Sequence, residues 1–425
     1  MLRIGAKLFR TARIGSSTLS HFRSPSRFLS YSNNNNKNVN STGFKTSPVA
    51  LQMISYALSL ARAQKSDESY AQAQLVLEQC HSTQSDESAK GLVLFAMSTL
   101  FSESGNFGEA IEKLQKIQEL GLSSLAVRVA ASEALAGLYL ESYQDDSSSA
   151  TADMCLQLLE TIRLGIGGGG SELLEARAKA LKGLVELVRG NVESAQSFFE
   201  GAQGDKGCFG NVALSYGEFL HCMRNFQMAR ELYQKAMQDV SESKDFTDSQ
   251  SLSACNMNLE ETLVGATCAL GQLEAHLGNF DDAEELLTAA LKKAEERFGN
   301  YHPKVGIILT CIALMYRHKA AMERSSSLLI QEGLYRRAIE VLKAPPLEVE
   351  GVEAIKSRRD ILALARGGYA ETLIVQQNRK AEGEKMKRWA ETAWTNRRLS
   401  LAEALEPSES SGKVVVIDTR ISRIL

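Results

Sequence analysis

Six histidines and seven cysteines are the side chains of this 425-residue chain best suited to ligate a metal or attack an electrophile. The histidines are His21, His81, His221, His276, His302 and His318. None forms an HExxH pair, and none stands at a zinc-ligand spacing from a cysteine. His221 and Cys222 are adjacent, which on a helix turns them to different faces. The cysteines, Cys80, Cys155, Cys208, Cys222, Cys255, Cys268 and Cys311, never form CxxC. Most sit among small apolar residues, a setting that predicts reduced core side chains and not a disulfide framework. The run Gly165-Ile166-Gly167-Gly168-Gly169-Gly170 satisfies GxGxxG. A dinucleotide fingerprint follows a strand, however, whereas Leu158 to Ile162 reads as the end of a helix, and no Gly-Lys-Ser/Thr follows. The run is expected to be a loop. No catalytic residue, no cofactor-binding residue and no metal ligand is assigned, and the chain is not expected to be an enzyme.

The elements around these residues are helical. Hydrophobic residues make up 44% of the chain and charged residues 23%, a composition that buries a core. None of the six prolines lies between Pro48 and Pro303. A proline inside a helix costs about 3 kcal/mol, so this long proline-free stretch, rich in Ala, Leu, Glu and Gln, suits successive helices. No window of about 18 apolar residues is read as a membrane span.

Self-comparison reveals a repeat. A glycine or polar turn is followed by an aromatic or apolar residue, an alanine, an apolar residue four places on and a small or apolar one three further. Gly105-Asn106-Phe107 leads to Ala110, Leu114 and Ile117, and Gly190-Asn191-Val192 leads to Ala195, Phe199 and Ala202. Arg224-Asn225-Phe226 leads to Ala229, Tyr233 and Ala236, and Gly278-Asn279-Phe280 leads to Ala283, Leu287 and Ala290. Weaker copies are Tyr70, Ala73, Leu77, Cys80 and Gly333, Tyr335, Ala338, Leu342. Ahead of each turn stands a small residue that lets two helices approach: Ala61, Ser98, Gly137, Gly183, Gly217, Gly271, Ala313 and Ala370. The pattern resembles the tetratricopeptide repeat, a helix–turn–helix unit. The segment Phe298-Gly299-Asn300-Tyr301-His302-Pro303-Lys304-Val305 is similar to the Gly-x-x-His-Pro-x-Val turn of kinesin light chains. The resemblance implies an all-α fold, a right-handed α-solenoid of about eight helix pairs over residues 48–405. Units open near Ile54, Gly91, Ala130, Ala176, Gly210, Val264, Gly306 and Ala363, with insertions expected at 143–149, 166–171, 242–258, 317–331 and 345–357. The third and eighth units depart most from the pattern.

The amino terminus is a different kind of sequence. The first acidic residue is Asp67, yet eight basic residues precede position 46: Arg3, Lys7, Arg10, Arg13, Arg23, Arg27, Lys37 and Lys45. Arg3, Lys7 and Arg10 share one helix face, and Leu2, Ala6 and Phe9 a neighbouring one. Basic, serine-rich, acid-free and amphipathic sequence resembles a mitochondrial presequence of the plant kind. Residues 1–47 are therefore read as presequence and linker, and the address as mitochondrial, most simply the matrix. The competing readings are a chloroplast address and a basic tail on a cytosolic protein. Without these eight residues the chain holds 40 basic and 51 acidic residues, a net charge of −11, which argues against a broad nucleic-acid footprint.

In the resembled family the first helix of each pair lines the concave surface. Helical phase then places Arg177, Asn211, Glu218, His221, Gln272, Arg317 and Glu371 toward it as a mixed polar protein-binding groove, or as a solvated face without a ligand. The Lys-Asn-Arg clamp by which related domains hold chaperone tails is not supplied: the matching positions carry Leu92, Phe95, Ala96 and Thr99, or Gly265, Cys268, Ala269 and Gln272. Residues 384–405, with Trp389 and Trp394, are read as a capping helix. Residues 406–425 are read as an extended, strand-like tail, lying in the groove or free. The function these features imply is a mitochondrial protein-interaction scaffold or assembly factor with protein partners and no cofactor. The alternatives are a cytosolic kinesin-light-chain-like adaptor and an organellar RNA-binding helical-repeat protein.

Overall fold

Helices start where the sequence offers an acceptor for the unpaired N–H groups of a first turn. Ser66, Asp86, Ser124 and Asn258 each accept from the backbone N–H three residues on. His302 accepts from the N–H of Lys304, and Pro303 takes the first helical position, where its missing N–H removes no bond. The computed structural model describes residues 48–165, 172–202, 210–242, 257–347, 357–376, 378–406 and 412–425. The expectations for residues 1–47, for the glycine-rich loop at 166–170 and for Cys208 and Cys255 lie outside the described residues.

Seventeen helices are described, and sixteen of them form eight helix-turn-helix pairs in chain order. The pairs are α1 Pro48–Gln64 with α2 Asp67–Thr83, α3 Glu87–Glu103 with α4 Phe107–Glu119, and α5 Leu125–Glu141 with α6 Asp145–Gly165. Next come α7 Glu172–Val188 with α8 Val192–Gly201, α9 Gly210–Cys222 with α10 Phe226–Glu242, and α11 Leu259–His276 with α12 Phe280–Phe298. The last are α13 Pro303–Met322 with α14 Leu328–Val341 and α15 Arg359–Ile374 with α16 Lys380–Ala393. A short α17, Leu401–Leu405, follows. Each helix packs on the next, and the first helices of successive pairs also pack on one another. The first helices are thus enclosed on most sides: α5 is buried from Val129 through Glu141. The second helices bury one stripe; in α4 it is Ala110, Leu114 and Ile117. The fold is an all-α helical-repeat solenoid.

The repeat pattern explains the seams. Ala195, Phe199, Ala229, Tyr233, Ala236, Ala283, Leu287 and Ala290 are all fully buried. A Cβ at Gly217 would lie 2.8 Å from the Tyr233 ring, and one at Gly271 would lie 2.8 Å from Leu287. The small positions Gly183, Gly217 and Gly271 therefore receive the large residue four places after the repeat alanine. The turns are equally regular. The N–H groups of Asn106, Asn191, Asn225 and Asn279 donate to the carbonyls of Phe101, Glu186, Leu220 and Glu274 at 2.8–2.9 Å. This is the bond that ends a helix through a left-handed residue. That residue is Gly105, Gly190 or Gly278 in three turns, with φ of 81–84°, and Arg224 in the fourth, with φ of 62°.

Three expectations need correction. Residues 145–149 are no insertion but the first turn of α6; of the expected insertion only Tyr143, at φ 58°, and Gln144 sit in the connection. The basic aromatic stretch 384–405 is not one capping helix. Its first part, 384–393, belongs to α16, the second helix of pair eight; the chain then turns at Trp394, whose indole N–H donates to the Leu399 carbonyl at 2.7 Å, before α17. The turn is forced because Leu401 and Leu405 pack over Gly367 on α15. Finally, the insertion expected at 317–331 shrinks to residues 323–327, because α13 runs to Met322 and α14 begins at Leu328. By length and composition α13 is apolar enough to cross a membrane, but 61% of that window is buried inside the solenoid, in keeping with the reading of no span. Val305 to Ala313 is its buried run, and their surroundings are other helices.

The stack curves back on itself. Glu103 at the end of α3 accepts from Arg62 of α1 at 2.7 Å and from Arg297 of α12 at 2.9 Å. The hydroxyl of Tyr143, in pair three, accepts from the N–H of Asp360, in pair eight, at 2.8 Å. Pair six thereby meets pairs one and two, and pair eight meets pair three.

The turn geometry makes a direct prediction. Arg224 is exposed and holds a left-handed conformation that costs an L-residue roughly 1 kcal/mol. Arg224→Gly should raise the urea midpoint, and Gly278→Ala, at φ 81°, should lower it by an equivalent of about 1 kcal/mol.

Candidate binding groove

The interior surface formed by the first helices is filled by the end of the chain. Residues 412–425 run back into the solenoid and fold as a hairpin, with β1 Ile417–Asp418 antiparallel to β2 Arg423–Ile424. The segment read as an extended tail is thus strand-like but doubled back, with Thr419 to Ser422 at its bend. From Val414 to Leu425 every residue but Val415 is buried. Val414, Val416, Ile417, Ile421, Ile424 and Leu425 join the hydrophobic core.

Polar side chains on the first helices, at the start of α6 and in the connection after α16 hold the hairpin in two ways. Some read only its main chain. Gln272 of α11 accepts from the N–H of Ile417 at 2.8 Å and donates to its carbonyl at 3.0 Å. Asn396 donates to the Ile424 carbonyl at 2.7 Å, and Arg398 donates to the carbonyls of Val414 and Leu425. Others read side chains. Arg420, 0% exposed, lies at the bend. Its guanidinium donates to Ser215 at 3.1 Å, to the Asn211 side chain, to Glu218, and to Asp418 at 2.7 Å. Gly265 packs beside it: a Cβ there would stand in ordinary contact with the Arg420 stem at 3.5 Å and tight against Leu214 at 3.0 Å. Arg423 makes a fork with both oxygens of Asp145, at 2.9 and 3.3 Å, donates to the Leu140 carbonyl at 2.8 Å, and lies over the Tyr143 ring at 3.9 Å. Ser422 donates to Glu141 at 2.9 Å.

Burial sets the electrostatics. Desolvation pushes the Glu218 carboxyl well above the usual carboxylate range; Arg420 pulls it down and neighbouring Asp418 pushes it up. Burial also works against the Arg420 charge, but Asp418 and Glu218 outweigh it and raise the guanidinium pKa. Two carboxyl groups and one guanidinium therefore share the pocket, and burial disposes Glu218 to hold a proton.

Of the seven residues expected to face the groove, Asn211, Glu218 and Gln272 touch the hairpin. Arg317 and Glu371 pair with each other, and Arg317 Nε donates to the Leu405 carbonyl of α17 at 2.7 Å. Arg177 braces α7 to α5 by donating to Glu133 at 2.9 Å. His221 is fully buried between α9 and its neighbours: its ring nitrogens lie 3.1 Å from the Tyr233 hydroxyl and 2.8 Å from His276 Nδ1. Sequence reasoning missed Ser215, Glu141, Asp145, Asn396 and Arg398. The available signal was the run Val414-Val415-Val416-Ile417, the one β-branched run in a helical sequence, followed by Arg420 and Arg423 in a chain of acidic body.

The five described cysteines are free and buried; Cys268 and Cys311 approach to 3.8 Å, beside Gln272. Among the described residues no group of three His, Cys, Asp or Glu side chains is placed to hold a metal ion.

No family model and no curated protein matches this chain. Among solved structures it is similar to the apo form of the quorum sensor NprR from B. thuringiensis, at 12% identity and a TM-score of 0.44, over 81% of this chain and 87% of that one.

The buried histidines predict an acid transition. Burial lowers His221 far below its usual range, with His276 and Arg398 adding to the effect. Burial lowers His276 to about 3, helped by His318 and Arg224, and His302 to about 4, helped by Arg358 and Lys343. The unfolded chain binds these protons near pH 6.5 and the folded chain does not, so stability is lost as pH falls below 6.5. Glu218, with its raised pKa, acts in the opposite sense, but three groups outweigh one. Urea midpoints should fall between about pH 6.5 and 5. In His276→Gln the slope should be shallower by about one proton, roughly 1.4 kcal/mol per pH unit.

Proposed function

We propose that this chain is a protein-interaction scaffold of the tetratricopeptide class, with a kinesin-light-chain-like turn at residues 299–305, and that it serves as a mitochondrial assembly factor and not as an enzyme. The observation that carries the reading is the seat of the hairpin. Gln272 pairs with both main-chain groups of one residue, as a strand partner would, while Glu218, Asn211 and Ser215 enclose a guanidinium. Side chains arranged in this way hold a polypeptide that lacks helical structure, and they fix both its register and its sequence. The repeat class is supported by the seam of small residues against Tyr233 and Leu287 and by the turn in which His302 caps α13 through Pro303.

The mitochondrial address rests on the eight basic residues before position 46 and the absence of acidic ones there. A matrix location follows from the same features.

Two measurements test the proposal. A fluorescent reporter fused behind residues 1–45 should colocalise with mitochondria, and a diffuse cytosolic signal would remove the address. Crosslinking the full chain in purified mitochondria, followed by affinity capture under denaturing conditions, should yield a reproducible protein adduct of discrete mass. A chain recovered only as uncrosslinked monomer at its working concentration would refute the scaffold.

A further inference from the structure

We propose that the seat of the C-terminal hairpin is a recognition site for a second polypeptide. The partner it fits presents a tight turn carrying Arg-x-x-Arg, with branched aliphatic residues before the first arginine and after the second. The inference rests on the scaffold reading above and names the partner chemistry of its groove.

The chemistry of the seat argues for recognition over mere filling. A buried ion pair gives back little more than the desolvation it requires, and apolar side chains of equal volume hold a core as well or better. Yet the bend of the hairpin carries a fully buried guanidinium among Glu218, Asp418, Asn211 and Ser215. What such a set supplies is discrimination. Any other residue at the bend leaves Glu218 and Asn211 enclosed without their donor. Lysine cannot replace arginine here, because the donors must fork toward several acceptors at once.

The second arginine is read separately. Asp145 accepts both ends of the Arg423 fork, and Tyr143 supplies the ring beneath it. The two seats belong to pair five and pair three, so a ligand must present both arginines at the spacing of residues 420 and 423. Between and around them the contacts from Gln272, Asn396 and Arg398 go to main-chain atoms, which every sequence possesses. The seat therefore specifies two arginines, a hydroxyl at the place of Ser422 and a shape, and leaves the other positions to size and apolarity. The net charge of −11 on the chain beyond its first 45 residues draws such a basic segment toward the solenoid.

The chain's own hairpin is then an internal copy of the ligand. Tethered to the solenoid, it competes at an effective concentration on the order of millimolar, so a partner turn succeeds by binding more tightly or where the internal copy is weakened.

The test uses the full chain and a fluorescein-labelled synthetic peptide with the sequence of residues 412–425. Fluorescence anisotropy should show binding to the Arg420→Gln chain at least tenfold tighter than to the unaltered chain. A peptide carrying the same Arg420→Gln change should lose that binding. A folded Arg420→Gln chain, helical by circular dichroism, that fails to bind the unaltered peptide overturns the proposal. Hydrogen exchange on the unaltered chain decides the matter even if that variant does not fold. Amides of residues 414–425 that exchange ahead of those in α9 and α11 support the proposal. Amides that exchange only with global unfolding make the hairpin a permanent core element and overturn it. Protein adducts in mitochondria without peptide binding would leave the scaffold standing and remove only this site; peptide binding without adducts would do the reverse.

Discussion

Everything in this molecule depends on how closely two helices can approach within a pair. Gly217 receives the ring of Tyr233, Gly271 receives Leu287, and Gly183 receives Phe199 at 3.0 Å from where a Cβ would stand. A pair so joined has a fixed angle, and stacking such pairs brings their first helices together along the inner side. The first helices must therefore carry two chemistries: small and aliphatic residues toward their neighbours, and polar residues toward the interior. Glu218 and Gln272 are buried polar residues on helices whose central turns are otherwise mostly apolar or small. The inner wall is a by-product of the seam.

An inner wall of that kind cannot be left as it is. Carboxylates and amides enclosed by a curved stack require partners, because buried polar groups without them are costly. The hairpin supplies those partners and the apolar mass between them. It also joins pairs distant in sequence. Arg423 binds pair three, Arg420 pair five, Ile417 pair six, and Ile424 the connection after pair eight. Together with the Glu103 and Tyr143 contacts, the hairpin converts a stack held by neighbour contacts into one with long-range closure. Such closure makes unfolding more cooperative than nearest-neighbour coupling alone allows.

The parts legible in the sequence are those written locally. The alanine and aromatic positions of four units recur at fixed spacing because one seam and one turn recur, and the glycine–asparagine pairs mark a helix end that needs a left-handed residue. Arg224 stands where that glycine belongs, and the unit is still recognisable from Asn225, Phe226 and Ala229. Legibility fails where partners are far apart in the chain. Arg420 meets Glu218 across 202 residues, and Tyr143 meets Asp360 across 217. No periodicity links such positions. Helical phase finds Asn211, Glu218 and Gln272, yet it gives equal standing to His221, which lies in the seam against Tyr233 and His276. The end of α16 is misjudged from sequence because Trp394 and Arg397 are compatible with a continuing helix, and only the packing of Leu401 and Leu405 over Gly367 requires a turn there.

The near-complete enclosure of residues 414–425 has a kinetic corollary. Nothing in solution can engage the interior wall until the hairpin has withdrawn, so a first-order opening precedes every replacement. Observed association rates for any incoming segment should then level off at a ceiling set by the protein alone, however concentrated the newcomer. Electrostatic attraction would shift where that ceiling is reached but not its height. Residence times in the solenoid, once an exchange has occurred, would be long for the same reason. The time constant of the solenoid is thus a property of its closure and is written into side chains such as Glu103, Arg62 and Arg297 that lie away from the occupant.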